Sequence, residues 1–92
     1  MHSAKYKRVL LKLSGEALIG NKDHGIDDSF ISDLASQLSQ LHKNNVELII
    51  VIGGGNFFRG SDLETLGIQR VTADHMGMLA TVINSLALQS SI

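Results

Sequence analysis

The sequence predicts an α/β fold, a parallel strand–helix–strand unit followed by a second helix. Two short apolar runs, residues 9–13 and 46–52, end in Ser-Gly and in three consecutive glycines. Between them, residues 27–43 carry apolar side chains at spacings of three and four, the period of an amphipathic helix. A strand, a helix and a strand joined by short links form a right-handed crossover with parallel strands. The carboxyl ends of both strands should therefore meet at one edge of the sheet.

The composition excludes several classes of protein. The 92 residues are 43% hydrophobic and 18% charged, which suits one small packed domain rather than a disordered chain. A net charge of −1 argues against a general nucleic-acid binder. The chain has no cysteine, which excludes disulfides and thiolate metal sites, and no apolar run approaches the ~20 residues of a membrane span. We expect a cytoplasmic protein that binds neither nucleic acid nor membrane.

The first strand is apolar apart from Lys12. An unpaired ammonium inside a central strand is costly, which leaves two interpretations. Lys12 either snorkels to water from an edge strand or points into the crevice at the carboxyl ends of the strands, where α/β sheets bind ligands. The strand ends at Ser14-Gly15, which predicts a loop.

The link to the first helix begins with a polar loop bounded by glycines. The loop consists of Gly20, Asn21, Lys22, Asp23, His24 and Gly25. We expect it to be exposed, with His24 solvated, because no second histidine or carboxylate pattern predicts a metal site. Asp27, Asp28 and Ser29 are all good N-caps for the helix that follows. Asn44-Asn45 should end that helix, because asparagine tolerates the left-handed conformation.

The second apolar run is continuous rather than alternating, which predicts a strand buried on both faces. Gly53, Gly54 and Gly55 follow it directly. Glycine weakens an element by about 0.5–1 kcal/mol relative to alanine, so three together indicate a backbone that exposes its amides or is approached closely. Arg59 lies four residues beyond the last of them. Bare amides and a cation at a strand end predict a phosphate site.

The remaining chain predicts a connector and a second helix. Residues 61–70 form the connector, with a turn at Gly67, and the helix should begin at Thr72 or Asp74. This helix carries few charges, which predicts that it is well buried or part of an interface. Parallel strands need cover on both faces. We therefore interpret residues 1–92 as the amino-terminal portion of a single, larger domain.

The glycine run matches neither of two common phosphate-binding patterns. Gly-x-x-x-x-Gly-Lys-Ser/Thr is absent, and Gly-x-Gly-x-x-Gly fails at its last glycine. The constellation is more informative than the triplet alone, because Lys12 and Gly15 follow one strand, Arg59 follows the next, and Asp74 lies beyond. Cations and amides on one edge can stabilise the charge that develops in phosphoryl transfer.

Four blocks of the chain resemble the amino-terminal part of the bacterial UMP kinases, a branch of the amino-acid kinase family. The blocks are residues 6–18, 25–27, 51–60 and 74–84. Lys-Leu-Ser-Gly marks the wider family, whereas Gly-Gly-Gly-Asn together with Asp-His-Met-Gly-Met-Leu-Ala-Thr is typical of the UMP kinases. The resemblance implies a three-layer αβα amino-acid-kinase-like domain. It also implies transfer of the ATP γ-phosphoryl group to UMP in pyrimidine nucleotide biosynthesis, with Mg²⁺ carried by the nucleotide.

The resemblance further implies roles for individual residues. Lys12 and Arg59 would be catalytic, and Gly54 and Asp74 would bind UMP, Asp74 through the ribose. The residues at ATP would be Lys12, Leu13, Ser14, Gly15, Gly55 and Arg59. The loop from Gly20 to Gly25 would respond to GTP as activator, UTP would inhibit, and the full-length enzyme would be a homohexamer. No residue is implied as a metal ligand. Each role has a plainer alternative: Asp74 could cap the second helix, and Arg59 could pair with a nearby carboxylate.

Two other functions stay open. The first is an amino-acid kinase family phosphotransferase that acts on a carboxylate or carbamate, although Asp74-His75-Met76 argues against it. The second is a non-catalytic nucleotide-binding or oligomerisation fragment. The family carries its adenine pocket and a second phosphate-binding lysine in the later two-thirds of the chain. We therefore expect these 92 residues alone to be inactive.

Overall fold

The computed structural model describes residues 5–58, 63 and 65–92. The elements in chain order are β1 (Arg8–Leu13), a 3₁₀ helix (Gly15–Ile19), α1 (Asp28–Lys43), β2 (Glu47–Ile52) and α2 (Arg70–Ser91). The strands pair in parallel, in a register that runs from Arg8 opposite Glu47 to Leu13 opposite Ile52. The predicted strand–helix–strand–helix order and the parallel pairing are confirmed.

Helix α1 begins and ends where its capping residues predict. Asp27 is the N-cap, and its Oδ1 accepts the main-chain N–H groups of Ser29 at 2.9 Å and Phe30 at 3.2 Å. At the other end Asn45 has a φ of 66°, and its N–H donates to the carbonyl of His42 at 3.0 Å. Both termini follow from local capping chemistry, which is why the sequence predicted them closely.

One face of the sheet carries the core, and both helices pack on that face. Exposed and covered residues alternate along β1 and β2. The buried cluster and the side chains packed against it include Ile31, Ala35, Leu38, Leu88, Leu11, Leu13, Leu48 and Ile50. The prediction that β2 is buried on both faces is wrong for the described residues, since Ile49 and Val51 are 49% and 47% exposed. No described element covers that second face.

Helix α2 starts earlier and is less buried than predicted. Its N-cap is Gln69, whose side chain makes no capping hydrogen bond, so no local signal marks the start. The buried residues of α2 are Ala80, Asn84 and Leu88, a single stripe at a spacing of four. Leu79, Val82 and Leu86 are 63%, 52% and 59% exposed, so the prediction of a well-buried helix is wrong. The alternative of an interface helix stays a prediction.

Two smaller observations complete the fold. Gly67 has a φ of 77°, which confirms the predicted turn before α2. No helix in the described part of the chain is long and apolar enough to cross a bilayer.

Candidate functional site

The carboxyl ends of β1 and β2 open into one crevice, as the parallel pairing predicted. The cavity has a volume of about 510 Å³. Its lining consists of Lys12, Leu13, Ser14, Gly15, Glu16, Val51, Ile52, Gly53 and Gly55. Lys12 lies on the exposed face of β1, opposite Val51, so its ammonium is solvated at the mouth of the crevice. Both interpretations of this lysine therefore hold together: it is exposed, and it borders the crevice.

The two loops of the crevice meet backbone to backbone at Gly15. A Cβ atom added to Gly15 would lie 2.6 Å from both the carbonyl oxygen of Gly53 and the amide nitrogen of Gly55. Real Cβ atoms essentially never come closer than 3.0 Å to another heavy atom. The N–H of Gly53 also donates to the carbonyl of Leu13 at 3.0 Å, which extends the strand pairing by one residue. Only glycine at position 15 allows this approach.

Ser14 caps the 3₁₀ helix, which brings a carboxylate to the crevice. The Oγ of Ser14 accepts the N–H of Glu16 at 3.2 Å, and the N–H of Ala17 donates to the Ser14 carbonyl at 3.1 Å. Glu16 then packs beside Gly55, where an added Cβ would lie 3.1 Å from the Glu16 Cγ. Sequence reasoning missed this helix and Glu16. A serine followed by an acidic residue in the first turn was the available signal.

The middle glycine of the triplet faces α2 instead of the crevice. A Cβ at Gly54 would lie 2.8 Å from the Cβ of Ala80 and 2.9 Å from the carbonyl oxygen of Gly77. Asp74 lies about one turn earlier on the same helix. Gly54 therefore packs on the helix that carries Asp74, while Gly15 and Gly55 border the crevice.

Asp74 is not the N-cap of α2, because that position is Gln69. Its carboxylate accepts a long hydrogen bond of 3.4 Å from Nε of Arg70, and its side chain is 57% exposed. Exposed pairs of this kind contribute little to stability. The carboxylate is thus accessible to a ligand hydroxyl.

The loop from Gly20 to Gly25 is held at both ends. The N–H of Asn21 donates to Oδ2 of Asp27 at 3.0 Å, and the N–H of Gly25 donates to the main-chain carbonyl of Asn56 at 2.9 Å. Between these anchors the side chains are exposed, as predicted. The hydrogen bonds from the main-chain N–H groups of Asn21, then Phe30 and Ser29, hold the pKa of the Asp27 carboxyl below its ordinary value of 3.8.

A buried pair of side-chain amides, Asn56 and Asn84, lies directly behind the glycine triplet. Their exposed fractions are 1% and 0%. The Nδ2 of Asn84 donates to the carbonyl of Gly53 at 2.8 Å, and the Nδ2 of Asn56 donates to the carbonyl of Gly25 at 2.9 Å. Sequence reasoning missed both residues. The signal was an asparagine at the centre of the buried stripe of α2, where a polar side chain needs a partner.

The polar groups of the crevice suit an anion. The amides of Gly54 and Gly55 have no main-chain acceptor within the described residues. Of these two amides, that of Gly55 belongs to a residue that lines the crevice, and together with Lys12 and the Ser14 hydroxyl it forms a concave set of donors, the arrangement that binds phosphate. The second predicted cation, Arg59, lies outside the described residues. In the described ranges no three acidic, histidine or cysteine side chains come together as a metal site.

Comparison with known sequences identifies related proteins. The uridylate kinase of Bacteroides thetaiotaomicron is 56% identical over 89 residues, a match that covers 97% of this chain and 38% of that protein. The uridylate kinase of Dichelobacter nodosus is 54% identical over 88 residues, with coverages of 96% and 36%. That of Xanthomonas axonopodis pv. citri is 52% identical over 92 residues, with coverages of 100% and 38%. The chain thus spans little more than a third of the length of these relatives.

Solved structures give the same relationship. The UMP kinase of Bacillus anthracis superposes with a TM-score of 0.84 at 44% identity, covering 94% of this chain and 35% of that one. The UMP kinase of Ureaplasma parvum superposes with a TM-score of 0.83 at 41% identity, covering 98% and 38%. The predicted α/β fold is therefore confirmed as part of a known fold. Residues 7–92 match the family described as "Amino acid kinase family", and the chain belongs to that family.

Proposed function

We propose that this chain is the phosphate-binding part of a UMP kinase, which transfers the γ-phosphoryl group of ATP to UMP and yields UDP and ADP. One observation carries the proposal: Lys12, Ser14 and Gly15 meet Gly53 and Gly55 in a single crevice at the strand ends. The substrates come from the names of the relatives, which are uridylate and UMP kinases. The product would enter pyrimidine nucleotide biosynthesis.

On the donor side, Lys12 would neutralise charge on the transferred phosphoryl group. Ser14 accepts the Glu16 N–H through its oxygen, so its own O–H can donate to a phosphate oxygen. The open amide of Gly55 would add a donor without side-chain bulk, and Leu13 and Gly15 would form the wall of the ATP site. Arg59 would contribute a second cation able to grip a phosphate with two parallel hydrogen bonds.

On the acceptor side, UMP would lie beside the contact between the glycine triplet and α2. Gly54 borders that side, and the exposed carboxylate of Asp74 would accept hydrogen bonds from the ribose hydroxyls. A phosphate oxygen of UMP attacks the γ-phosphorus, and the bond from that phosphorus to the β,γ-bridging oxygen breaks as ADP leaves. The attacking oxygen is already ionised, so the step needs no general base. Positioning and charge stabilisation supply the catalysis.

A divalent cation would arrive with the nucleotide. Mg²⁺ is usually held by substrate phosphates and one or two carboxylates, and among the described residues that line the crevice Glu16 is the single carboxylate. When bound, the ion would neutralise charge on the β- and γ-phosphates. The donor set therefore fits a nucleotide-borne ion better than a resident metal.

Assembly and regulation extend the same proposal. From the resemblance we infer a cytoplasmic homohexamer for the assembled enzyme. The exposed apolar side chains of α2 would suit such packing, because a second subunit could cover them. The Gly20 to Gly25 loop would carry the response to GTP, with UTP as inhibitor. We also propose that residues 1–92 form the amino-terminal portion of one domain, completed by sequence of the kind that follows in the relatives.

A chimera tests the function directly. Residues 1–92 replace the segment they match in the Xanthomonas axonopodis uridylate kinase, which is 52% identical over the full chain. We expect the purified chimera to form UDP and ADP from UMP and ATP. The matched control is the same chimera with Lys12→Met, which keeps the length of the side chain and removes its charge. A folded chimera that transfers no phosphoryl group to UMP would contradict the proposal.

Two further measurements separate the alternatives. Competition by glutamate or carbamate for the acceptor site would favour the carboxylate or carbamate kinases, and we expect neither to compete with UMP. The isolated 92-residue chain should show no turnover, because it spans little more than a third of its relatives. Nucleotide binding by that chain, combined with an inactive chimera, would favour the non-catalytic fragment.

A further inference from the structure

The buried amide pair of Asn56 and Asn84 has a role that the proposed chemistry does not use. Each Nδ2 group has two hydrogens, and each donates one to the partner amide and one to the main chain. The Nδ2 of Asn56 lies 3.1 Å from Oδ1 of Asn84, and the Nδ2 of Asn84 lies 2.7 Å from Oδ1 of Asn56. The remaining two hydrogens bind the carbonyls of Gly25 and Gly53. All four side-chain N–H bonds are therefore in use.

This arrangement has one possible orientation. The carbonyls of Gly25 and Gly53 can only accept, so both amides must turn their nitrogen toward the main chain. Turning either amide over would place an oxygen against a carbonyl oxygen and would also break the reciprocal pair. A buried network in which every donor is satisfied specifies a single arrangement of the groups it joins.

The pair joins three segments that are far apart in sequence. Asn84 lies in α2, Asn56 follows the glycine triplet, and Gly25 ends the exposed loop before α1. The main-chain bond from the Gly25 N–H to the carbonyl of Asn56 adds a second link between that loop and the triplet. The N–H of Gly53 in turn donates to the main-chain carbonyl of Leu13 at the end of β1. The amide pair thus fixes the glycine triplet against α2 and against the loop at once.

We propose that Asn56 and Asn84 are positioning residues that hold the glycine triplet and the Gly20 to Gly25 loop in one arrangement. Neither side chain borders the crevice, so both act through the main chain of Gly53 and Gly25. The consequence for catalysis rests on the proposed function: the amide of Gly55 would meet a phosphate correctly only while the Gly53 carbonyl is held.

Two measurements on the chimera test the proposal, one of which does not depend on activity. The first is amide hydrogen exchange in peptides that cover residues 20–25 and 53–58. Asn84→Leu keeps the approximate volume and removes both donors, and we expect faster exchange in both segments. Ser85→Ala is the matched control, because within the described part of the chain its exposed hydroxyl bonds inside α2, to the Thr81 carbonyl at 2.7 Å. It should leave both segments unchanged.

The second measurement is steady-state kinetics of Asn84→Leu, Asn56→Leu and the double variant. Misplacing a reacting group by about 1 Å can cost about 100-fold in rate, so we expect kcat to fall by about 10-fold to 100-fold. The double variant leaves no orphaned side-chain amide, so its loss of stability should be smaller than the sum of the single losses, while kcat stays low. If the pair only stabilised the fold, kcat of the double variant should recover along with its stability.

The outcomes separate this proposal from the function on which it draws. Faster exchange in both segments with reduced kcat supports the positioning role. Unchanged exchange in either segment, or full kcat in spite of faster exchange, overturns it. If the parent chimera does not phosphorylate UMP, the proposed function fails, and hydrogen exchange alone then decides whether the pair holds the two segments.

Discussion

Replacement of Gly15 by alanine should damage the crevice more than alanine at Gly53 or Gly55, the other described glycines that line it. The added Cβ would lie 2.6 Å from two main-chain atoms, and ordinary contact begins at 3.4 Å, so the loops must separate by about 0.8 Å. Neither the Gly53 carbonyl nor the Gly55 amide can rotate aside as a side chain would. Overpacking of this kind costs about 1–3 kcal/mol of stability. A displacement near 1 Å at a reacting centre can cost about 100-fold in rate.

We therefore expect the Gly15→Ala chimera to show a kcat about 10-fold to 100-fold lower than the parent, with a lower free energy of unfolding. The assays are steady-state kinetics with ATP and UMP varied separately, and chemical denaturation. Gly77→Ala is the control for stability, because nothing lies within 4 Å of a Cβ at that helical position. Alanine there should be neutral or stabilising by up to about 1 kcal/mol. Parent-like kcat and stability in Gly15→Ala would refute the reasoning.

Three other predictions concern single charges. Lys12→Met should lower kcat by about 100-fold to 1,000-fold, which is the usual effect of removing one donor to the transition state. The free energy of unfolding should not fall. An unchanged kcat would exclude the catalytic role. Asp74→Asn should raise the KM for UMP far more than the KM for ATP. Arg70 is the exposed partner of Asp74, and Arg70→Gln should change neither KM. Equal effects of Asp74→Asn on both substrates would contradict ribose binding. Asp27→Ala should lower the free energy of unfolding at pH values above 3.8, the ordinary pKa of the carboxyl group. This loss of stability should shrink as the pH falls below 3.8, because the fold favours the ionised form of Asp27. Denaturation across this pH range checks it, and a deficit independent of pH would contradict the capping role.

Local chemistry explains why most elements were predictable. The period of α1, its Asp27 cap and its Asn45 end all depend on residues adjacent in sequence. The crevice followed from topology, since parallel strands place their carboxyl ends together. The start of α2 was missed because Gln69 caps it without a side-chain hydrogen bond, and a capping search has nothing to find there.

The missed parts of the site depend on distant residues. Asn56 and Asn84 are 28 positions apart, and nothing near either residue indicates the partner. The two faces of the sheet also could not be distinguished, because β2 is apolar on both while only one is covered within the described residues. An apolar run predicts that a surface needs cover, but does not state which segment supplies it.

The uncovered sheet face bears on the proposed role of Lys12. Leu10, Ile49 and Val51 lie on it, exposed by 61%, 49% and 47%, and Lys12 lies on the same face. Two unit charges about 4 Å apart interact by about 1 kcal/mol in water and by about 4 kcal/mol at an effective dielectric constant of about 20. In its proposed role, Lys12 would therefore act more strongly on a phosphoryl group once this face is covered and water is excluded. The apolar residues around Lys12 would hold such a cover. Covering this face would therefore bury those residues and strengthen the action of Lys12 at the same time.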